Sequence, residues 1–264
     1  MNAVDFAGTV HPRAARDARI VSLVPSITEL LCDLGLADRL VGRTGFCIHP
    51  RKTVRRIPKV GGTKDVKLDR IRALAPTHAI VNVDENRRET AEALRAFVPH
   101  VVVTHPLGPR DNLALYRLCG ALFGREAEAE RLCHRFEAAF GRAAAAGHNA
   151  PPADVLYLIW KDPWMTVSPD TYVSRTLALV GWHSVPHQAA ARYPEVALDD
   201  PAVAGASLVL LSSEPYRFRA AHVTQVAAAA RRPAALIDGE MTSWYGSRAI
   251  AGLDYLADFR RRAG

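Results

Sequence analysis

No apolar run in the 264 residues reaches the roughly 18 that a membrane-spanning helix needs. The first apolar cluster, 20–24, follows Asp5, His11, Arg13, Arg16 and Asp17, so the apolar segment of a secretory leader is not expected in this stretch. The chain as written is therefore expected to be soluble, free of membrane insertion and cytoplasmic. Cysteine is scarce: Cys32, Cys47, Cys119 and Cys133 stand apart without a CxxC pair, which argues against a zinc ribbon, a thioredoxin-type centre and a disulfide framework. Lysine is scarcer still relative to arginine, five of 34 basic residues, in an alanine-rich background that points partly to codon bias. The formal charge of +7 and pI near 9.5 consequently decide little. The densest basic stretches, Arg51-Lys52 with Arg55-Arg56 and Arg260-Arg261-Arg262, lack interleaved aromatics and any nucleic-acid-reading motif, so they are expected to be solvated faces. Enzyme templates are missing too: there is no GxSxG elbow, no GxxxxGK[ST] loop and no HExxH pair. Gly61-Gly62-Thr63-Lys64 lacks the spacing that wraps a phosphate. With ten histidines, a Ser/His/acid trio can be drawn from many loops, and none is selected; no catalytic residue is expected.

What is present is ordinary globular material, 49% apolar and 23% charged, with enough length for one large α/β unit or two lobes. Short β-branched runs alternate with amphipathic stretches. The spacing predicts strands at 20–24, 39–44, 79–83 and 101–103, with helices at 26–34, 68–74 and 85–97. Ser26 and Glu29 have the capping-box spacing, and Gly35 stops that helix. The same grammar restarts after Pro151-Pro152, with strands at 155–159, 208–211 and 234–237 and helices at 171–180 and 247–261. Strand-helix alternation predicts parallel sheets with crossovers. Two similar α/β lobes follow.

Between the halves lies 125–146, which contains no Pro and one Gly, with Leu132, Phe136 and Phe140 recurring every four residues. At 1.5 Å per residue such a helix spans about 33 Å, long enough to act as a stiff strut. The alternative is that it closes the first lobe and a flexible linker, 147–153, follows.

Ligands of open parallel sheets collect at the carboxyl ends of the strands. The residues following those predicted strands are aromatic and polar: Phe46, Cys47 and His49 after one, Trp160 and Trp164 after another, Trp244 and Tyr245 after the last. Large rings in loops either meet a bulky, partly apolar ligand or pack between lobes. Cys47 and His49, two residues apart, either contact a metal or metal chelate or simply shape a loop. Glu85 and Glu89 at one helix start and Glu214 after a strand either compensate helix charge or form a docking face.

Four segments, RIVSLVPSITE (19–29), VGRTGFCIHP (41–50), VGGTK (60–64) and IRALAP (71–76), resemble the helical-backbone metal-receptor superfamily. These are the class III substrate-binding proteins of ABC importers, and the likeness is greatest to the cobalamin-binding branch. The resemblance implies an α/β fold of two Rossmann-like lobes with parallel central sheets joined by one long α-helix: 1–124, a bridging helix 125–147, and 148–264. It implies a monomeric, non-enzymatic receptor with little hinge closure, and periplasmic residence where a leader is present. A corrinoid would lie in the inter-lobe cleft, held by Phe46, Trp160, Trp164, Trp244 and Tyr245, with no catalytic cofactor; iron-siderophores and haem are further ligand classes. Glu85 or Glu89 on one lobe and Glu214 on the other would dock the importer's membrane subunits. The alternative is a cytosolic enzyme or trafficking factor acting on a corrinoid, with Cys47 or His49 on the metal.

Overall fold

The β-branched runs become the parallel strands of two four-stranded sheets, in a computed structural model that describes residues 3–201 and 203–263. A two-stranded antiparallel ribbon, β1 (Ala3–Val4) and β2 (Val10–His11), opens the chain. There follow β3 (Ile20–Ser22), α1 (Pro25–Asp33), β4 (Leu40–Arg43), α2 (Arg51–Val54), α3 (Leu68–Ala73), β5 (His78–Asn82), α4 (Arg88–Arg95), β6 (His100–Thr104) and α5 (Asp111–Phe123). The sheet order is β4-β3-β5-β6, every pairing parallel. One helix, α6 (Glu126–His148), carries the chain onward. Then come β7 (Ala153–Leu158), α7 (Tyr172–Leu179), β8 (Trp182–Ser184), β9 (Leu208–Ser212), α8 (Ala220–Ala230), β10 (Ala234–Ile237), α9 (Gly239–Ser243) and α10 (Arg248–Ala263). This second sheet has the order β10-β9-β7-β8, again parallel. The expected α/β architecture with two parallel sheets is what the chain adopts.

The chain divides into two compact units. One comprises the residues up to Pro106, Arg110–Arg135 and Tyr245–Ser247; the other Leu107–Pro109, Phe136–Trp244 and the chain from Arg248 onward. The division runs through α6 after Arg135. In the first unit, Val21, Leu23, Ile71, Val81 and Leu94 are shielded from water on one face of the sheet. Leu156, Leu158, Val209, Leu211 and Val226 do the same in the second. Both faces of a parallel sheet are covered by crossover helices, which is why these strands read as unbroken apolar runs.

Two local expectations are corrected. Ser26 does not cap α1: Val24 occupies the cap position in extended backbone, and Pro25 takes the first turn, where its missing N–H costs nothing. The helix expected at 85–97 begins only at Arg88, because Asn82 and Asn86 fold 83–87 into a turn. Asn82 Oδ1 accepts from the Asp84 and Glu85 N–H groups at 2.8 and 3.2 Å, and Asn86 Oδ1 accepts from the Asn82 N–H at 2.8 Å. Side-chain amides that bind nearby backbone in this way compete with helix.

Candidate functional site

The carboxyl ends of both sheets carry the loops with exposed rings. In the first unit, β4 leads into a loop whose Gly45 N–H donates to Gly61 O at 2.7 Å. Phe46 is 62% exposed and Ile48 49%. The ring of Phe46 lies over Gly62, where an added Cβ would stand 3.3 Å from Cε2. Gly61 adopts φ +112, and a Cβ there would be 2.4 Å from the Asp65 carbonyl. The two glycines of VGGTK thus let two stretches of backbone approach and let the Phe46 ring come close to one of them.

Cys47 takes the opposite direction. It is fully buried, with its Sγ 3.1 Å from the hydroxyls of both Thr28 and Thr44. Burial pushes its thiol up, so it stays protonated and braces the loop from below. His49 is half-buried, and the two side chains do not share one exposed face. Among the described residues, no group of three or more His, Cys, Asp or Glu side chains is placed to hold a metal ion.

In the second unit, β7 runs into a tight loop in which Ile159 N–H bonds Met165 O and Met165 N–H bonds Trp160 O. Trp160, 40% exposed, sets its edge against Tyr216, ring centres 5.6 Å apart at 71°. Trp164 stacks on Phe218 at 6.2 Å and 9°, with the Lys161 ammonium 5.8 Å above the indole. Tyr216 and Phe218 join the two tryptophans into one aromatic cluster, their own centres 4.8 Å apart. His222 closes it edge-on. Its Nδ1 accepts from the Arg219 N–H at 2.9 Å, so the neutral ring carries its proton on Nε2 and presents a donor, not a metal-binding lone pair. Tyr216, Phe218 and His222 were not among the ligand contacts expected from sequence; the only signal was their position after a strand end.

Trp244 and Tyr245 are 9% and 7% exposed and offer no open ring face. Trp244 Nε1 donates to Glu214 Oε1 at 2.5 Å, while the Arg248 guanidinium sits 5.0 Å from the centre of the indole. Tyr245 OH donates to Glu85 Oε1 at 2.5 Å. Two of the three glutamates expected on a docking face therefore hold aromatic partners, and Glu89, in the first turn of α4, is the exposed one. Glu214 is half-buried; burial lifts its pKa to about 7 against the hydrogen bonds from Trp244 and Ser243.

The chain is matched over residues 20–201 by a family model described as periplasmic binding protein. The vitamin B12-binding protein of Pectobacterium carotovorum is 24% identical over 67% of this chain. That match spans 65% of the relative's length. The corresponding protein of Photorhabdus laumondii is 20% identical over 76% of this chain and 73% of its own. In fold, the chain is similar to the periplasmic vitamin B12 binding protein BtuF of Vibrio cholerae, with TM-score 0.81, 16% identity, and 96% and 99% of the two chains covered. It is also similar to the periplasmic heme-binding protein RhuT of Roseiflexus sp. RS-1, with TM-score 0.77, 21% identity, and 93% and 98% covered. A match over more than half its length, on two parallel α/β units with aromatic loops at the sheet ends, makes the chain a member of the periplasmic binding protein family.

Proposed function

We propose that this protein captures cobalamin or a related corrinoid and delivers it to an ABC importer, without catalysing a reaction on it. The observation that carries this reading is the set of rings left exposed at the carboxyl ends of the sheets, Phe46 in one unit and Trp160 in the other, the latter backed by the Trp164–Phe218 stack. It is supported by the vitamin B12-binding relatives. A macrocycle has broad apolar surface, and burying it against such rings contributes about 25 cal/mol per Å² before the cost of association is subtracted. Trp244 and Tyr245 act in this reading as braces for Glu214 and Glu85 at the rim. Delivery to an importer places the protein on the periplasmic side, with Glu89 and Glu214 facing the membrane subunits.

Colour tests the ligand. Purified protein is incubated separately with cyanocobalamin, cobinamide, haem and a ferric siderophore, then desalted. Retention of a corrinoid spectrum is the expected result. Haem retention would reassign the ligand, in line with the similarity of fold to heme-binding proteins, and retention of none would remove the chelate reading. Trp160→Ala is expected to weaken the retained ligand by about 1–2 kcal/mol, in keeping with ring-on-ring contact energies. Phe46→Ala should do the same. Calorimetric titration checks both, and unchanged affinity in each would move these rings out of the binding surface.

A further inference from the structure

On the first unit lies a cavity of about 320 Å³ whose lining includes none of the rings invoked for the chelate. Its apolar wall comes from Val81 of β5, Val103 of β6 and Ala91 of α4, with Val83, 52% exposed, beside them. Ala7, from the ribbon that joins β1 to β2, adds a further side. That ribbon is anchored to the edge strand: Phe6 N–H donates to Val103 O at 3.1 Å, and Asp5 Oδ2 accepts from Val103 N–H at 2.9 Å.

The polar part of the lining is unbalanced in charge. Arg87, Arg88 and Arg95 face one carboxylate, Glu92, a surplus of two positive charges. Arg88 Nε donates to Glu92 Oε1 at 2.9 Å and neutralises it. The side chains of Arg87 and Arg95 are exposed and engage no ion pair or hydrogen bond among the described residues. The two asparagines in the lining are already committed to backbone. Asn82 Nδ2 donates to Thr104 O at 3.0 Å, and Asn86 Nδ2 donates to Thr63 O at 3.0 Å and Leu23 O at 3.2 Å. Recognition of a guest's polar end therefore falls to the guanidinium groups, which bind carboxylate, sulfonate and phosphate in forked geometry.

We propose that this cavity binds a small amphiphilic anion, a molecule with a short apolar body against the valines and one acidic head group on a guanidinium of the lining, Arg87 at one end of α4 or Arg95 at the other. The site is separate from the chelate reading and stands whether or not that reading does. The probe is 8-anilinonaphthalene-1-sulfonate added to the full chain, followed by fluorescence and by amide chemical shifts. Saturable binding that moves the amides of Ala7, Val83, Ala91 and Val103 and weakens with added salt is expected. The double variant Arg87→Gln, Arg95→Gln is expected to weaken it tenfold or more, while binding of the neutral N-phenyl-1-naphthylamine stays unchanged. Both arginines are exposed, so the variant keeps its fold, checked by an unaltered melting curve. Shifts confined to other parts of the chain, or a double variant that binds the sulfonate as tightly as the parent, overturns the proposal.

Discussion

Lowering the pH from 6.5 to 4 is expected to remove about 3 kcal/mol of folding free energy through His78 alone, and His78→Phe is expected to abolish that loss. His78 opens β5 and is buried, its ring stacked on His100 at 4.8 Å and set edge-on to Phe123 at 5.2 Å. Nδ1 lies 2.8 Å from the Thr77 hydroxyl, while Nε2 is buried with no hydrogen-bond partner. His11, paired with Asp5 at 3.1 Å, stands edge-on to His100 on the other side. Burial, then the neighbouring His100 and His11, lower the His78 pKa from 6.5 to about 4. A base with a depressed pKa in the folded state is neutral there and takes its proton on unfolding. The stability it contributes is complete above 6.5 and declines as the pH falls towards 4, at about 1.4 kcal/mol per unit. Phenylalanine keeps the stack and removes the unpaired nitrogen. Urea unfolding of both proteins at pH 7, 5.5 and 4 isolates the effect, because all other acid-sensitive groups are common to the two. Parallel stability curves would show that His78 is not the acid-labile element.

The strands were legible because apolar, β-branched runs are bounded by Pro and Gly, as at 155–159 and 234–237, and α6 because Leu132, Phe136 and Phe140 keep a helical period among charges. Helix α5 is not legible in the sequence for the opposite reason. Leu115, Tyr116, Leu118, Cys119, Leu122 and Phe123 bury it on most sides, so there is no polar stripe to set the period. Helix α8 is mostly alanine with Val226 as its buried contact, and β8 is only three residues long. Of the site, exposed rings in loops such as Phe46 and Trp160 can be picked out from sequence, since loop position and residue type suffice. Their partners cannot. Glu214 meets Trp244 across 30 residues, and Glu85 meets Tyr245 across 160. Such pairs are set by where crossovers return the chain, which no local pattern encodes.

The Glu214 pairing leads to a stabilising substitution: Glu214→Gln is expected to raise stability by about 2 kcal/mol above pH 7 and to change nothing below pH 4.5. Burial is the main cause of its raised pKa, with the Glu240 and Asp238 carboxylates adding to it and the Trp244 and Ser243 hydrogen bonds opposing it. A carboxyl whose folded pKa is raised from 4.5 to about 7 contributes its full stability below 4.5 and loses it as the pH climbs through 7, where a charge must be held among other charges. The whole shift corresponds to about 3 kcal/mol; solvent screening of a half-buried group reduces this to about 2. Glutamine cannot ionise but keeps an acceptor oxygen for the indole N–H, so the Trp244 contact survives. Denaturation of parent and variant at pH 4.5 and 8 measures the difference, and a variant less stable than the parent at pH 8 contradicts the argument. Uptake separates a docking role from a bracing role at the same residue. If the Glu214 carboxylate docks the importer, the variant binds its chelate normally, is the more stable protein in weak alkali, and fails to support transport. If the carboxylate only holds Trp244, transport continues, because the acceptor that Trp244 needs is still there.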